Sequence, residues 1–347
     1  MTARPPLPHR RRAWTLGVLV PVLVTAAAWV AVAVLLPRVP RPAALHWGPA
    51  GVDRSGSVAE LLGPIAVISS ISLVVMAVIA VRTGRQAMTR RLALGLAVGL
   101  ATMFAGLVLA PVVAQVDAPS AEHAGSPGAA TLAAMATAVL LGAAAAALAG
   151  ADRAAPARSP VPADATTTEL REGQRAAWVR RASVGPVGRT VSLVGAGLLA
   201  ALAVVMGAAS GSWWLTPVIL VPVPVMLLLL SWHVRVDRTG LTVRAGIGRP
   251  RQHIPAAEVV RADVVTVDPF GEFGGWGLRV SAALDGTVGV VLRRGEAIAV
   301  ERTGGRRLVV TVDDAAGGAA LLNTYAQRAR PARPALDGST GTGPHLD

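Results

Sequence analysis

The 347-residue sequence contains no cysteine, no lysine and few charged side chains for its length. The absence of cysteine excludes disulfide bonds, thiolate nucleophiles and cysteine-ligated metal sites. Charged residues make up 15% of the chain, and the mean hydropathy is +0.54. A soluble domain is nearer about 25% charged. These deficits together indicate a protein that resides in a lipid bilayer.

Because lysine is absent, all 33 basic residues are arginine, and the formal net charge is +13. A charge of this size is compatible with nucleic-acid binding. However, the arginines cluster at the ends of apolar runs, where membrane topology explains them. We therefore expect the lipid bilayer, and no nucleic acid, as a partner.

Six apolar runs predict a polytopic α-helical membrane protein with about six transmembrane helices. A helix needs roughly 20 apolar residues to cross the hydrocarbon core. The first run is longer than the apolar core of a signal peptide, which favours an uncleaved helix even though three arginines precede it. The runs are 14–36, 61–81, 92–116, 131–150, 191–210 and 213–232, the last two forming a tight hairpin.

The arginines also predict the orientation. Four lie before the first run, four between residues 82 and 91, and seven between 153 and 189, whereas the other side holds only Arg38, Arg41 and Arg54. The arginine-rich side is expected to be cytoplasmic. This predicts a multi-pass protein of the cytoplasmic membrane with both termini in the cytoplasm. Tryptophans at the ends of runs are expected at the headgroup level: Trp14, Trp213, Trp214 and Trp232.

The loop between the first two runs, residues 37–60, is dense in proline and glycine and is therefore predicted to be ordered. His46, Trp47 and Asp53 are its candidate ligand-binding residues. His46 and Asp53 are able to hydrogen-bond each other, to meet a ligand or peptide, or to share a metal with Asp117, Glu122 and His123. The alternative is that His46 and Trp47 only pack the loop onto the helices. We expect no metal, because the spacing is not that of a ligand set.

This loop resembles the domain of unknown function 1648, which occurs in bacterial multispan proteins related to the SdpI immunity protein. The resemblance covers roughly residues 14–81, and Val52 departs from it because a proline commonly stands before the Asp. The family's activity is not established, so the resemblance implies placement, sensing or immunity and no mechanism. The matching positions are Leu36, Pro37, Pro40, His46, Trp47, Gly48, Gly51, Asp53 and Gly56.

Residues 151–190 are predicted to be a cytoplasmic linker after the four-helix region 14–150, since their first part is rich in Ala, Pro, Ser and Thr. Within them, Trp178 stands among arginines. This suits either a segment at the headgroup surface or a strand that docks onto the later soluble domain.

After residue 232 the pattern alternates with period two, which predicts a mostly-β cytoplasmic domain over residues 233–330. About seven strands are followed by a helix that Asp313 is predicted to cap. This order resembles the bacterial pleckstrin-homology-like fold, and Gly274 to Arg279 resembles an element of actinobacterial membrane proteins that carry it. The glycines around Trp276 predict a turn or bulge and not a phosphate loop, since no Lys-Ser/Thr follows. Residues 1–13 and the polar tail 331–347 flank the two regions.

Four arginines of this domain, Arg293, Arg294, Arg306 and Arg307, are candidates for binding lipid headgroups. The alternative is that they form a solvated face.

The sequence contains no catalytic motif and no carboxylate pair inside the runs, and the runs have no Asp, Glu, His or Arg in their interiors. We therefore expect a non-enzymatic sensing, immunity or scaffold protein without a cofactor, which meets an extracellular peptide and a cytoplasmic protein. A permease for a hydrophobic or lipid-like substrate is the alternative.

Overall fold

The computed structural model describes residues 8–330, apart from residues 49, 83, 153–154, 211–215, 217–219, 221–222, 225–226, 228, 247, 249, 282–283 and 285. Most of the sixth predicted run, with Trp213 and Trp214, lies outside the described residues, as does the predicted tail.

The described residues contain five helices that are long and apolar enough to cross a membrane. The first five predicted runs are thereby confirmed as helices. Helix α3 begins before its predicted run and so includes Arg90 and Arg91. The helices are α1 (Arg10–Arg38), α2 (Val58–Arg82), α3 (Ala87–Val113), α4 (Gly128–Leu148) and α5 (Pro186–Ser210).

Helices α3 and α4 pack with their backbones in direct contact. A Cβ atom built on Gly142 would lie 2.9 Å from the carbonyl oxygen of Gly95, and one built on Gly99 would lie 3.3 Å from that of Ala138. Gly95 and Gly99 share a helix face because they are four residues apart. Small residues permit this approach, which is how helices associate where no hydrophobic force acts between them.

A small cap covers one end of these helices. Strands β1 (Ala43–Gly48) and β2 (Gly51–Gly56) form an antiparallel hairpin between α1 and α2. The connection between α3 and α4, residues 114–127, lies beside it and contains a short 3₁₀ helix, Ala121–His123. We call residues 43–56 and 114–127 the cap.

The rest of the chain forms a β domain with two sheets. The first has the antiparallel order β3-β4-β5-β6, and the second has the order β7-β10-β11-β9-β8, in which β9 and β11 are parallel. The strands are β3 (Trp178–Ser183), β4 (Ser231–Asp237), β5 (Gly240–Ala245), β6 (Arg251–Pro255), β7 (Val259–Val267), β8 (Gly277–Ser281), β9 (Thr287–Val291), β10 (Gly295–Arg302) and β11 (Arg306–Thr311).

Helix α6 (Pro269–Phe273) joins β7 to β8, and helix α7 (Ala315–Arg328) closes the domain. Alternate residues of the first sheet, such as Val234 and Val236, are buried in the same core as Leu322 of α7. The residue that caps the N-terminus of α7 is Asp314 and not the predicted Asp313. The Asp314 side chain accepts a hydrogen bond from Gly317 N.

The predicted linker 151–190 is not a separate segment, because residues 157–183 contact or belong to the β domain and residues from 186 onward form the start of α5. Trp178 is 8% exposed on β3, whose backbone pairs with β4. The Tyr325 hydroxyl donates to Ala176 O at 2.7 Å and accepts from Ala176 N at 2.8 Å. Trp178 was predicted to lie either at the headgroup surface or on a strand that docks onto the β domain. The structure shows the docked strand. Trp232 likewise lies on β4, buried in the domain core, and not at a helix end.

The contact between α3 and α4 predicts opposite effects for two glycine-to-alanine substitutions. Gly142→Ala should lower the free energy of unfolding by about 1–3 kcal/mol, because the added methyl meets a backbone oxygen that cannot rotate away. Gly63→Ala in α2, where nothing lies within 4 Å, should be neutral or raise it by up to about 1 kcal/mol through helix propensity. Thermal unfolding in detergent measures both, and equal effects would contradict the packing.

Candidate functional site

In the cap, two of the predicted ligand-binding residues are hydrogen-bonded to each other. His46 lies on β1 and Asp53 on β2, and His46 Nδ1 lies 2.7 Å from Asp53 Oδ1. The two side chains are 62% and 53% exposed. The pair therefore presents an oriented imidazole to the outside of the cap.

Trp47, the third predicted residue, contributes to holding the cap together. Its indole Nε1 donates to Gly125 O at 2.9 Å, which joins the hairpin to the α3–α4 connection. Arg38, at the end of α1, pairs with Asp117 in the same connection. This hydrogen-bonded ion pair keeps the pKa of Asp117 below its ordinary value.

Gln115 is the buried anchor of the cap. It is 0% exposed and lies just after α3. Its Oε1 accepts from Ala44 N at 2.6 Å, and its Nε2 donates to Ala44 O at 3.1 Å. The side-chain amide therefore pairs with both backbone groups of Ala44 on β1, and this ties the hairpin to the end of α3.

Within the described part of the chain, no three His, Cys, Asp or Glu residues are arranged to hold a metal ion. His123 is engaged by Ser120, with 2.8 Å between Nδ1 and Oγ.

At the other end of the helices, five charged side chains form a buried network that we call the junction. Arg90 of α3 pairs with Asp152 at 3.1 Å, and Asp152 also pairs with Arg306 of β11 at 3.3 Å. Glu258 then pairs with Arg306 at 3.0 Å and with Arg302 of β10 at 2.7 Å. The network runs without interruption from a membrane-type helix to the core of the β domain.

The junction side chains are well shielded from solvent. Those of Arg90, Glu258, Arg302 and Arg306 are 3–7% exposed, and that of Asp152 is 17% exposed. Burial lowers the pKa of Arg302, and the hydrogen bond that Arg302 donates to Glu258 opposes this shift. Arginine nevertheless keeps its charge in proteins, so the cluster carries three positive and two negative charges. Buried charges of this kind have to be paired.

Hydrogen bonds to backbone carbonyl groups reinforce the junction. Gln86, which precedes α3 and is 2% exposed, donates from Nε2 to Arg307 O at 2.7 Å. Arg90 also donates to Gly84 O at 2.8 Å and to Gly150 O at 3.0 Å. The connection between α2 and α3 and the end of α4 are thus both fixed to the same guanidinium group.

The four arginines predicted to bind lipid headgroups have different surroundings. Arg306 is buried in the junction, Arg293 pairs with Asp313, and Arg307 is half-buried. Arg294 is exposed and makes no ion pair among the described residues. Their role towards lipid stays a prediction.

The glycines around Trp276 form a turn. Gly274 ends α6 in the left-handed region at φ 68°, and Trp276 packs edge-on against Phe270, with 4.8 Å between the ring centroids. No phosphate-binding helix opens at this turn, since the residues that follow it form strand β8.

Sequence reasoning did not identify the junction. Asp152, Glu258 and Arg302 are far apart in the chain and belong to no motif. Arg90 was counted only for topology, and Gln115 falls inside the predicted run 92–116. The one available signal was an Asp directly after an apolar run, at residue 152.

No protein-family model, no curated protein and no solved structure matches the chain. The resemblances to the domain of unknown function 1648 and to the pleckstrin-homology-like fold therefore stay predictions.

The cap predicts a strong contrast between two substitutions. Gln115→Leu should destabilise the hairpin by about 2–4 kcal/mol, since it leaves buried backbone groups of Ala44 unpaired. His46→Ala should cost at most about 1 kcal/mol, because the His46–Asp53 pair is exposed. Hydrogen exchange of residues 43–56 measures the difference. Equal protection in the two variants would contradict the anchoring role of Gln115.

Proposed function

We propose that the protein is a multi-pass protein of the cytoplasmic membrane that transmits, without catalysis, a change in the cap to the β domain. The single observation that carries the proposal is that helix α3 is bound at both ends by buried polar side chains. Gln115, just after α3, pairs with Ala44 of the β1–β2 hairpin at one end, and Gln86 and Arg90 bind the β domain at the other. Residues 86–115 span about 43 Å at ~1.5 Å per residue, which is the thickness of a bilayer with its headgroups.

The membrane topology in this proposal rests on two arguments. The β domain lies on the side that is rich in arginine, so this side is cytoplasmic and the cap is extracellular. Ser183 of β3 pairs with Ser231 of β4. Because α5 leaves directly after β3, the chain has to return to the same side before β4, which supports six crossings.

The cap supports recognition of a secreted peptide by His46 and Asp53, because these side chains are exposed, oriented and free of a metal-type cluster among the described residues. Ligand contact there would pull on a hairpin that is tied to α3. A protein that binds a toxin peptide, or senses one, needs no more chemistry than this. The charge-free helix interiors speak against the permease alternative, except for a hydrophobic or lipid-like substrate, which needs no buried charge.

The topology can be tested directly because the chain has no cysteine. Single substitutions Ser55→Cys in the cap and Arg294→Cys in the β domain are both at exposed positions. In intact cells, a membrane-impermeant maleimide should label Ser55→Cys at once and Arg294→Cys only after lysis. Labelling in the reverse order would overturn the orientation.

Coupling between the cap and the junction should be reciprocal. Gln115→Leu should change hydrogen exchange at residues 302–307 by at least about fivefold, and Glu258→Gln should change it at residues 43–56 by a similar factor, since a coupling free energy acts equally in both directions. Glu258→Gln leaves Arg302 buried without its carboxylate and leaves Arg306 with Asp152 alone.

The matched control is Glu301→Gln, an exposed glutamate on the same strand as Arg302 that makes no ion pair among the described residues. It should leave exchange in the cap unchanged. Exchange at residues 320–326 of α7 reports general destabilisation of the β domain. If each variant affects only its own end of α3, the proposed transmission is wrong even where the topology is correct.

A further inference from the structure

The outward face of the first sheet carries a row of basic side chains. The strand register places Arg181 of β3 opposite His233 of β4, His233 opposite Arg244 of β5, and Arg244 opposite Arg251 of β6. Neighbouring strands are about 4.8 Å apart, so four adjacent strands bring these side chains within roughly 15 Å. We call these four residues the basic row.

The face that carries the basic row is clearly distinct from the core face. The flanking residues of β4, Trp232 and Val234, are buried on the other side with Ala245 and Val243 of β5. Since side chains alternate along a strand, the register that buries these residues turns the whole basic row outward. The row is therefore fixed by the fold and does not depend on flexible loops.

No residue of the basic row makes an ion pair in the described part of the chain. Arg244 and Arg251 make no ion pair there, and the Arg181 guanidinium donates only to Ser231 Oγ at 3.2 Å. His233 Nδ1 is buried without a hydrogen-bond partner. Like charges directly opposite each other destabilise a strand pair, so this arrangement has a cost that an anion would remove.

The next row on the same face extends the site. It contains Arg235, Thr242 and His253, which are aligned across β4, β5 and β6. Arg235 is paired with Asp237, so its charge is already balanced. A groove of about 380 Å³ runs over this face. It is lined by His233, Arg244 and Arg251 of the row, by Thr239 and Thr242, and by the ion pair of Arg235 with Asp237. The groove is large enough for a phosphate group and its immediate substituents.

The basic row lies close to the end of the sheet from which the chain enters the membrane. β3 ends at Ser183, α5 begins at Pro186, and Arg181 is two residues from the strand end. At about 3.3 Å per residue, residue 181 is within roughly 17 Å of the start of α5. A membrane surface at the start of α5 would therefore bring its headgroups to the basic row.

We propose that the basic row binds the phosphate group of anionic phospholipids in the leaflet that α5 enters. Guanidinium groups form paired, charge-assisted hydrogen bonds with phosphate, and neighbouring arginines allow one phosphate to be held from two sides. His233 lies between Arg181 and Arg244 and supplies a further ring nitrogen. The proposal rests on the membrane placement of the proposed function and is independent of transmission through α3.

The test uses the full-length protein in nanodiscs made of phosphatidylcholine, with increasing fractions of phosphatidylglycerol. The thermal unfolding midpoint should rise with the anionic lipid. In Arg244→Gln/Arg251→Gln the apparent affinity for phosphatidylglycerol should fall by at least about tenfold, because two charge-assisted contacts are lost. In pure phosphatidylcholine this variant should be as stable as the parent or more so, since opposed like charges are removed.

The matched control is Arg175→Gln/Arg238→Gln, which removes the same charge from two exposed positions outside the row. It should keep the parent's response to phosphatidylglycerol. If the double row variant does not fold, the single variant Arg251→Gln on the edge strand β6 replaces it, and a reduced response is still expected. An unchanged response in the row variants, or an equal loss in the control, would overturn the proposal.

A second titration separates lipid from soluble phosphate. Inorganic pyrophosphate is added to the protein in phosphatidylcholine nanodiscs, where no anionic lipid is present. We expect a weaker effect than that of phosphatidylglycerol. Stabilisation by pyrophosphate together with no response to phosphatidylglycerol would show that the row takes a soluble phosphate compound, and the lipid assignment would then be wrong. Labelling at Ser55→Cys and Arg294→Cys tests the membrane placement separately.

Discussion

The pairing of buried charge at Arg90 is the constraint on which the arrangement of the molecule depends. A guanidinium group withdrawn from water has to be surrounded by acceptors, and Arg90 obtains them from the α2–α3 connection, the end of α4 and Asp152. Asp152 in turn holds Arg306, which Glu258 joins to Arg302. The β domain is therefore attached to the helices through desolvated ion pairs, which are sensitive to the loss of any one member. A surface contact of the same size would tolerate such losses.

The two ends of α3 use different chemistry. At the cap, an uncharged amide pairs with the two backbone groups of Ala44, and at the junction charges are shared among five side chains. Between the ends, Gly95 and Gly99 keep α3 in backbone contact with α4. A helix that is packed along its length moves as a unit. In the proposed transmission, a change in the cap therefore reaches the β domain through the polar contacts at the two ends of α3, and no polar group inside the helix is needed. This also agrees with helix interiors that lack ionisable residues.

Much of the fold was predictable from local pattern. Five apolar runs are helices in the structure, and the period-two alternation after residue 232 begins with the β4–β5 hairpin. Both follow from local sequence, because the spacing of apolar residues along the chain decides which face of an element is buried. Strand β6 is not predictable from the sequence pattern, because Arg251, Gln252 and His253 give no apolar alternation at a sheet edge.

In the candidate site, the His46–Asp53 hydrogen bond was among the predicted alternatives, since the two residues are close in sequence. The junction was not predicted, because the ion pairs of Asp152 and Glu258 join residues that are far apart in the sequence.

The strand that precedes α5 has a consequence for biogenesis. β3 supplies one edge of the first sheet and buries Trp178, but its partner β4 is synthesised only after the whole segment 184–230. During translation, β3 has no strand to pair with until this whole segment has been synthesised. Assembly of the first sheet therefore follows synthesis of residues 184–230. In the finished sheet, the pairing of Ser183 with Ser231 holds the two ends of this segment next to each other.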